Sequence, residues 1–289
     1  MPVAVHVVHE APADWRGMLF DGAVLVVSGV TAVEPFVEHA RRLLAEAFAP
    51  AAAENAQSQL GDDDFLARAD RLRAAIRRDA RARELAWSVL AAFGLEAATT
   101  YTDRLHLRVL PAGASPQHAV DLALGAHRDT WSSNVYAQVN WWLPLHHVTD
   151  TRALAFYPRN WTTAVPNSSA AWDLELLRRE RVAGGPTTVP LVPAPLSPPD
   201  PADALVVVVQ PGDLLLFSGA HLHATVPNTS GTPRYSVELR TVDLDDVRTG
   251  RGAPNVDGDA PCVPVEWFRN VEDGSPLTDA AGGHAGPPV

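Results

Sequence analysis

The sequence predicts a mainly β protein, an antiparallel sandwich or jelly roll with helices buttressing one face. Two observations carry this. From Thr99 onward, six short β-like runs are separated by turn residues, and helical periodicity is confined to the stretch before them, about residues 31–94. The 289 residues, 46% hydrophobic and 20% charged, have an ordinary globular composition with enough apolar material for a sizeable core.

Each element has its own signal. Val3 to His9 reads as a short strand, and Gly22 to Gly29 as a β-branched strand bounded by glycines. Thr31 opens a helix with apolar positions at Val33, Phe36, Val37, Ala40, Leu43 and Leu44, and Glu34 three residues on suggests a capping box. A second helical region runs from about Asp62 to Phe93. Its acidic start suits the positive end of a helix dipole, and Gly94 closes it. The β-like runs are Arg104 to Leu110, Ser133 to Leu143, Ala153 to Tyr157, Leu205 to Val209, Leu214 to Phe217 and Arg234 to Val242. Pro190 to Pro201 is expected to be a surface loop or lid, because a sheet interior does not tolerate so many missing donors. Residues 1–249 are thus expected to form one domain, and 250–289 a loosely ordered Gly/Pro-rich tail.

Composition removes several function classes. All 23 basic residues are Arg, so Schiff-base lysine chemistry and a Walker A motif are excluded. The single cysteine, Cys262, excludes an internal disulfide and a Cys-based metal cluster. A formal charge of −11 argues against nucleic acid or an anionic membrane as partner, and points to a small molecule. The N-terminus lacks the basic and apolar regions of a signal peptide, and the longest apolar run, Ala204 to Val209, is strand-sized. A cytoplasmic location is expected.

The chemistry-bearing residues fall in two places. His127 and Asp129, two apart, share a face if the segment is extended, and an imidazole beside a carboxylate suits a divalent ion such as Fe(II). Pro211-Gly212-Asp213 then introduces an apolar strand leading to His221 and His223, with Arg234 eleven residues beyond His223. Arg234 and Ser236 share one face of a strand while Tyr235, Val237 and Leu239 share the other. A forked donor beside a hydroxyl suits a carboxylate. In the run from Ser133, Tyr136, Gln138, Asn140 and Trp142 alternate with an apolar series and are expected to line a cavity. Arg104, His106 and Arg108 share a face of the preceding strand, where at least one is expected to meet a carboxylate of cosubstrate or substrate.

These residues resemble the Fe(II)/2-oxoglutarate-dependent oxygenases, most closely the phytanoyl-CoA dioxygenase-like group. The resemblance rests on His127-x-Asp129, on His223-Ala224-Thr225-Val226-Pro227-Asn228-Thr229-Ser230, and on Arg234, and covers most of residues 17–243. It implies a double-stranded β-helix, a cupin-like jelly roll, with His127, Asp129 and His223 on one iron. The remaining positions would take 2-oxoglutarate and O2. Arg234 would pair with the distal carboxylate, with Thr225, Ser236 and Asn140 as further cosubstrate contacts, and His221 is the rival for the second histidine. Halogenating relatives have a small residue at the carboxylate position, so Asp129 favours hydroxylation or desaturation, with a role in specialised metabolism. Tyr157-Pro158-Arg159-Asn160-Trp161 departs from the group's usual Pro-Gly-Ser-His turn, which makes Arg159 and Trp161 candidate substrate contacts beside Arg108, His106, Gln138 and Trp142. The alternatives are a cupin-like metal-binding module without turnover, and a non-oxidative isomerase or hydrolase using another metal. The sequence leaves the oligomeric state open.

Overall fold

The computed structural model describes residues 4–113, 124–184, 187–261 and 265–280. The chain opens with strand β1 (Val5–Val8) and helix α1 (Trp15–Phe20), the latter capped by Asp14, which accepts from Gly17 N. Nothing in the periodicity announced α1, because six residues offer fewer than two turns of pattern. Strand β2 (Val24–Val27) is buried throughout, and helix α2 (Val33–Phe48) buries Val33, Phe36, Val37, Ala40, Leu44 and Phe48. The expected Thr31 capping box does not form: Ala32 is the N-cap and no side chain caps the helix. The short helix α3 (Ala56–Leu60) precedes the second helical region, which is two helices rather than one, α4 (Asp62–Ile76) and α5 (Ala80–Ala91). Asp79 breaks the run by accepting a hydrogen bond from Ala82 N, which caps the start of a new helix.

The strands that follow are β3 (Thr100–Thr102), β4 (His106–Leu110), β5 (Val139–Pro144), β6 (Leu154–Phe156), β7 (Leu205–Val207), β8 (Leu214–Ser218), β9 (His223–Thr225), β10 (Arg234–Asp243) and β11 (Arg269–Asn270). They form two sheets. The larger runs β1-β2-β8-β5-β10-β3-β11, with β4 also on β10, and the smaller runs β7-β6-β9. Phe156 of the small sheet meets Phe217 of the large one edge-on, ring centroids 5.0 Å apart, and Phe217 in turn meets His223 at 4.9 Å. The result is a jelly roll with helices on one flank.

Alternation along β5 and β10 decides what faces where. Trp141 packs on Trp15 and Phe93, and Tyr235 on Phe48, so one side of the large sheet is sealed by α1, α2 and α5. Asn140, Trp142, Arg234, Glu238 and Arg240 face the opposite way, into a cavity between the sheets.

Two further expectations change. The run from Ser133 to Leu143 is not one strand. Thr130–Ser133 is a helical turn, ended by Asn134 in the left-handed region (φ 50°), and pairing begins only at Val139. Tyr136 therefore lies outside the alternation, its hydroxyl on Asn134 Oδ1 at 3.3 Å. Among the described residues of the expected tail, β11 pairs with β3, and Phe268 and Leu277 are buried in the main core. Two isolated apolar residues in a Gly/Pro/Asp-rich stretch carry no periodicity, so the sequence hid them. Pro190 to Pro201 forms no strand, as its prolines require, and no helix among the described residues is long and apolar enough to cross a membrane.

Candidate metal centre

A single backbone bridge brings the two histidines together. His127 N donates to His223 O (2.9 Å) and His223 N to His127 O (3.0 Å), which sets the rings 4.4 Å apart. Asp129 is not in extended backbone. It has helical torsions (φ −61°, ψ −33°) at the start of Thr130–Ser133, so a turn rather than strand alternation swings its carboxylate toward the histidines. One ligand atom from each of His127, Asp129 and His223 lies within 4.8 Å of the others, and all three side chains are buried.

The imidazoles are held from behind. His127 Nδ1 faces Gly125 O at 2.8 Å and His223 Nδ1 faces His221 O at 3.0 Å, which assigns the proton to Nδ1 and leaves each Nε2 lone pair for a metal. Burial pushes His223 down to about 4 and lowers His127 as well, so both rings are neutral near pH 7. Burial alone would raise the Asp129 carboxyl. The Arg240 guanidinium, and after it His223 and His127, hold it well below the usual carboxylate range. Two neutral imidazoles and one carboxylate are a donor set that suits Fe(II).

The carboxylate is fixed at both oxygens. Oδ2 accepts from Asn140 Nδ2 and from Gln138 Nε2 (3.2 Å), while Oδ1 faces Arg240 Nη2 at 3.6 Å. Arg240 is itself anchored on Asp103, whose Oδ1 accepts from Arg240 N at 2.8 Å and whose Oδ2 pairs with Arg240 Nη1 at 3.2 Å. The sequence reading passed over the Asp103–Arg240–Asp129 chain. A signal existed, since Arg240 shares the strand face of Arg234 and Ser236 six residues along.

Arg234 sits at the far end of that face, 2% exposed. The Asn228 turn delivers it: Asn228 Oδ1 accepts from Ser230 N and Oγ, and its amide donates to Leu110 O and Thr232 O, which fixes the chain entering β10. Arg234 Nη1 donates to Arg152 O (3.1 Å) and Ala153 O (3.2 Å), and the guanidinium lies over Trp142, 5.7 Å from the ring centroid. No carboxylate among the described residues pairs with it, and its Nε has no partner. Burial lowers it to about 10, so it remains a cation. Ser236 Oγ and Trp142 Nε1 are likewise buried and unpartnered among the described residues. A buried cation with idle donors beside it is costly to fold and is relieved by an anion that carries several acceptors.

Thr225, Asn140, Trp142, Arg234 and Arg108 line one cavity with His127, Asp129 and His223, and the cavity opens to solvent. Other expected contacts lie elsewhere. Gln138 stands behind Asp129 rather than in the cavity wall. His106 pairs with Asp103 (3.2 Å) outside the cavity wall, and Arg108, although it lines the cavity, pairs with Glu238 (2.8 Å), so each meets a carboxylate of the protein itself. Arg159 is 80% exposed and pairs with Asp203, because Pro158–Asn160 is a 3-10 turn that points it to solvent. Trp161 packs on His221 with centroids 4.4 Å apart and does not line the cavity. His221 lies between Ser218 O and Gly22 O, 3.1 Å from each, and is not among the grouped ligands.

Between the two ligands of the first segment, Arg128 turns its back on the cavity. It is buried, and its Nε pairs with Asp257 Oδ1 at 3.0 Å. Asp257 also accepts from Trp131 Nε1 (2.7 Å) and Val165 N (2.9 Å), while Arg128 donates to Ala220 O and Asn160 O. A residue of the expected tail therefore clamps the segment that carries His127 and Asp129.

The family model for phytanoyl-CoA dioxygenase (PhyH) matches residues 20–236. Among solved structures, the non-heme monooxygenase ThoJ in its apo form is 17% identical, covering 75% of this chain and 72% of its own at a TM-score of 0.44. EvdO2 from Micromonospora carbonacea var. aurantiaca, complexed with 2-oxoglutarate, is 16% identical over 76% of this chain and 86% of its own (TM-score 0.41). The epimerase SnoN, in complex with Fe3+, alpha ketoglutarate and nogalamycin RO, is 17% identical over 76% and 79% (TM-score 0.38). No curated protein sequence matches.

Proposed function

The chain belongs to the phytanoyl-CoA dioxygenase family of Fe(II)/2-oxoglutarate-dependent oxygenases, and on that premise we propose that His127, Asp129 and His223 hold its iron and Arg234 binds the distal carboxylate of 2-oxoglutarate. The observation that carries the reading is the buried Arg234 guanidinium, idle at Nε and lining the same cavity as the three grouped ligands. A metal-binding module without turnover, or an isomerase or hydrolase, gives no reason for that cation.

Iron bound here supplies one-electron and O2 chemistry, with 2-oxoglutarate giving two electrons as it becomes succinate and CO2. The protein's part is orientation and charge. The carbonyls of Gly125 and His221 fix the imidazole tautomers. Asn140, Gln138 and Arg240 restrain the Asp129 carboxylate on both oxygens, so it enters the site ionised and with its rotation blocked. Arg234 offers a forked donor with Thr225 in the same cavity wall, and the unpartnered Ser236 hydroxyl lies two residues along its strand. Leu154, Phe217 and Trp142 form apolar wall that strengthens these charge interactions. A carboxylate at 129 fills the place chloride would need, so the outcome is hydroxylation or desaturation of a small molecule in specialised metabolism.

The test is anaerobic titration of the metal-free protein with Fe(II) and then 2-oxoglutarate, followed by succinate assay in air. A weak visible charge-transfer band and succinate formation are expected, both lost in His223→Ala. Absence of band and succinate, or His223→Ala and Arg234→Ala behaving as wild type, would overturn the assignment.

A further inference from the structure

Helix α4 carries charges on its outer side that its own chain leaves unused. The inward stripe, Phe65, Ala69, Leu72 and Ile76, is buried against the domain. On the outer side lie Asp63 and Asp64 at the start, Ala67 and Ala74 in the middle, and Arg77 and Arg78 just past the last turn. All of these are exposed except Ala74, which is half-buried. The arginines on the helix flanks are spent within the chain: Arg68 Nη1 donates to Ala49 O at 2.9 Å, and Arg73 Nη2 to Val109 O at 3.2 Å. The outer ones are not. Asp64 meets Arg68 at 3.0 Å and Asp70 meets Arg73, but the side chains of Asp63, Arg71, Arg77 and Arg78 have no ion-pair partner among the described residues.

The helix dipole accounts for the sign of charge at each end of α4. The exposed side then has a further property: acidic at one end and basic at the other, it is complementary to itself when reversed. A second copy laid antiparallel, centred between Asp70 and Arg71, sets Ala67 of each copy against Ala74 of the other and brings Asp63 and Asp64 to Arg77 and Arg78. Alanines at the crossing let two helix axes approach to about 8 Å. A parallel copy would instead set acid on acid and arginine on arginine. The exposed acidic residues Asp63, Asp64 and Asp70 balance the exposed Arg71, Arg77 and Arg78, so the face has separated signs and no net charge. Such a face is matched by its own reverse, and not by a uniformly acidic or basic surface.

We propose that the exposed face of α4 is a contact between two copies of this chain, packed antiparallel across a twofold axis. The helix has 15 residues and is about 22 Å long, so this contact alone buries less than the roughly 1,200 Å² of a stable interface. The dimer is therefore weak, with a Kd on the order of 10–100 μM, and is held largely by charge. None of the six charged residues lines the cavity, so the contact forms without metal or cosubstrate and stands apart from the oxygenase reading.

The test is sedimentation equilibrium of the metal-free full chain over a concentration series that spans the expected Kd. Wild type should reach a dimer and no larger species, and raising the salt from about 0.05 M to about 0.5 M should weaken it about tenfold. Arg77→Glu/Arg78→Glu makes the face acidic at both ends, and Asp63→Arg/Asp64→Arg makes it basic at both ends. Each variant alone should associate at least about tenfold more weakly than wild type. Mixed in equal amounts, the two should form a heterodimer as tight as the wild-type dimer, a recovery that damage to the helix would not give. Circular dichroism and melting temperature check that each is folded. If arginines at the helix start prevent Asp63→Arg/Asp64→Arg from folding, Arg77→Glu/Arg78→Glu and the salt series still decide. Wild type monomeric throughout, Arg77→Glu/Arg78→Glu dimerising as wild type does, or two folded variants failing to pair would overturn the proposal.

Discussion

Replacing Arg234 by Met should separate ligand affinity from stability. Without ligand the two effects of the change oppose each other. The variant loses the bonds from Nη1 to Arg152 O and Ala153 O, charge-assisted contacts of about 1.5–3 kcal/mol each. It also loses the several kcal/mol it costs to bury a guanidinium with no carboxylate beside it. The metal-free, ligand-free melting temperature should therefore change little. Binding has no such offset, since the cosubstrate carboxylate would be buried without its cation. A loss of about 2–5 kcal/mol is expected for breaking one side of such a pair, or roughly 30- to 4,000-fold in Kd. The assay is anaerobic thermal unfolding with Fe(II) and 2-oxoglutarate at 100 times the wild-type Kd. Wild type should gain about 2.7 kcal/mol, worth roughly 5–10 °C in a chain of this size, and the variant less than about 1 kcal/mol. A variant several kcal/mol less stable without ligand, yet binding 2-oxoglutarate as wild type does, would refute the reasoning: Arg234 would be a structural cation satisfied by its two carbonyls.

Two further outcomes follow from buried charges. Asp257→Asn keeps the shape but strands Arg128 as an uncompensated ion, which should cost about 3–5 kcal/mol and lower the melting temperature by about 10 °C; Asp245→Asn, whose partner Arg248 is exposed, should cost under about 1 kcal/mol, and equal effects of the two would refute the clamp. For pH, burial holds His221 and His223 at about 4 in the folded state against about 6.5 unfolded. The unfolded chain then takes up protons the folded chain refuses, so metal-free stability should fall as pH is lowered from 7 to 5. Unfolding curves at several pH values check this, and a flat profile, or an unchanged slope in His221→Phe, would contradict it.

Much of the candidate site was legible because its residues obey local spacing rules. Alternation in β10 separates Arg234 and Ser236 from Tyr235 and Val237, and the structure keeps that division, with Tyr235 on Phe48 and Arg234 lining the cavity. Asp129 reached the histidines by a turn that alternation does not describe, so the residue was found for a reason that the backbone does not use. What could not be read depends on pairing across the chain. Arg108 pairs with Glu238 130 residues away, and Arg240 with Asp103 137 residues away. Without the sheet register neither carboxylate is visible as a partner, so Arg108 and His106 looked free for a ligand. Arg159 and Trp161 failed for a different reason: they were named because Tyr157–Trp161 departs from the group's usual turn, and in the structure Arg159 pairs with Asp203 while Trp161 packs on His221.

The Arg128–Asp257 pair also sets an order of events during synthesis. Its members are 129 residues apart, and Asp257 lies beyond every strand of both sheets except β11. While the ribosome is still making the last quarter of the chain, β5 and the helices can already pack, but the segment bearing His127 and Asp129 has a guanidinium at its centre with no counter-ion. Burying that segment before residue 257 is made would leave the Arg128 guanidinium without the carboxylate that pairs with it in the folded chain. A chain released before residue 257 would carry all three grouped ligands and still lack the contact that holds two of them in position.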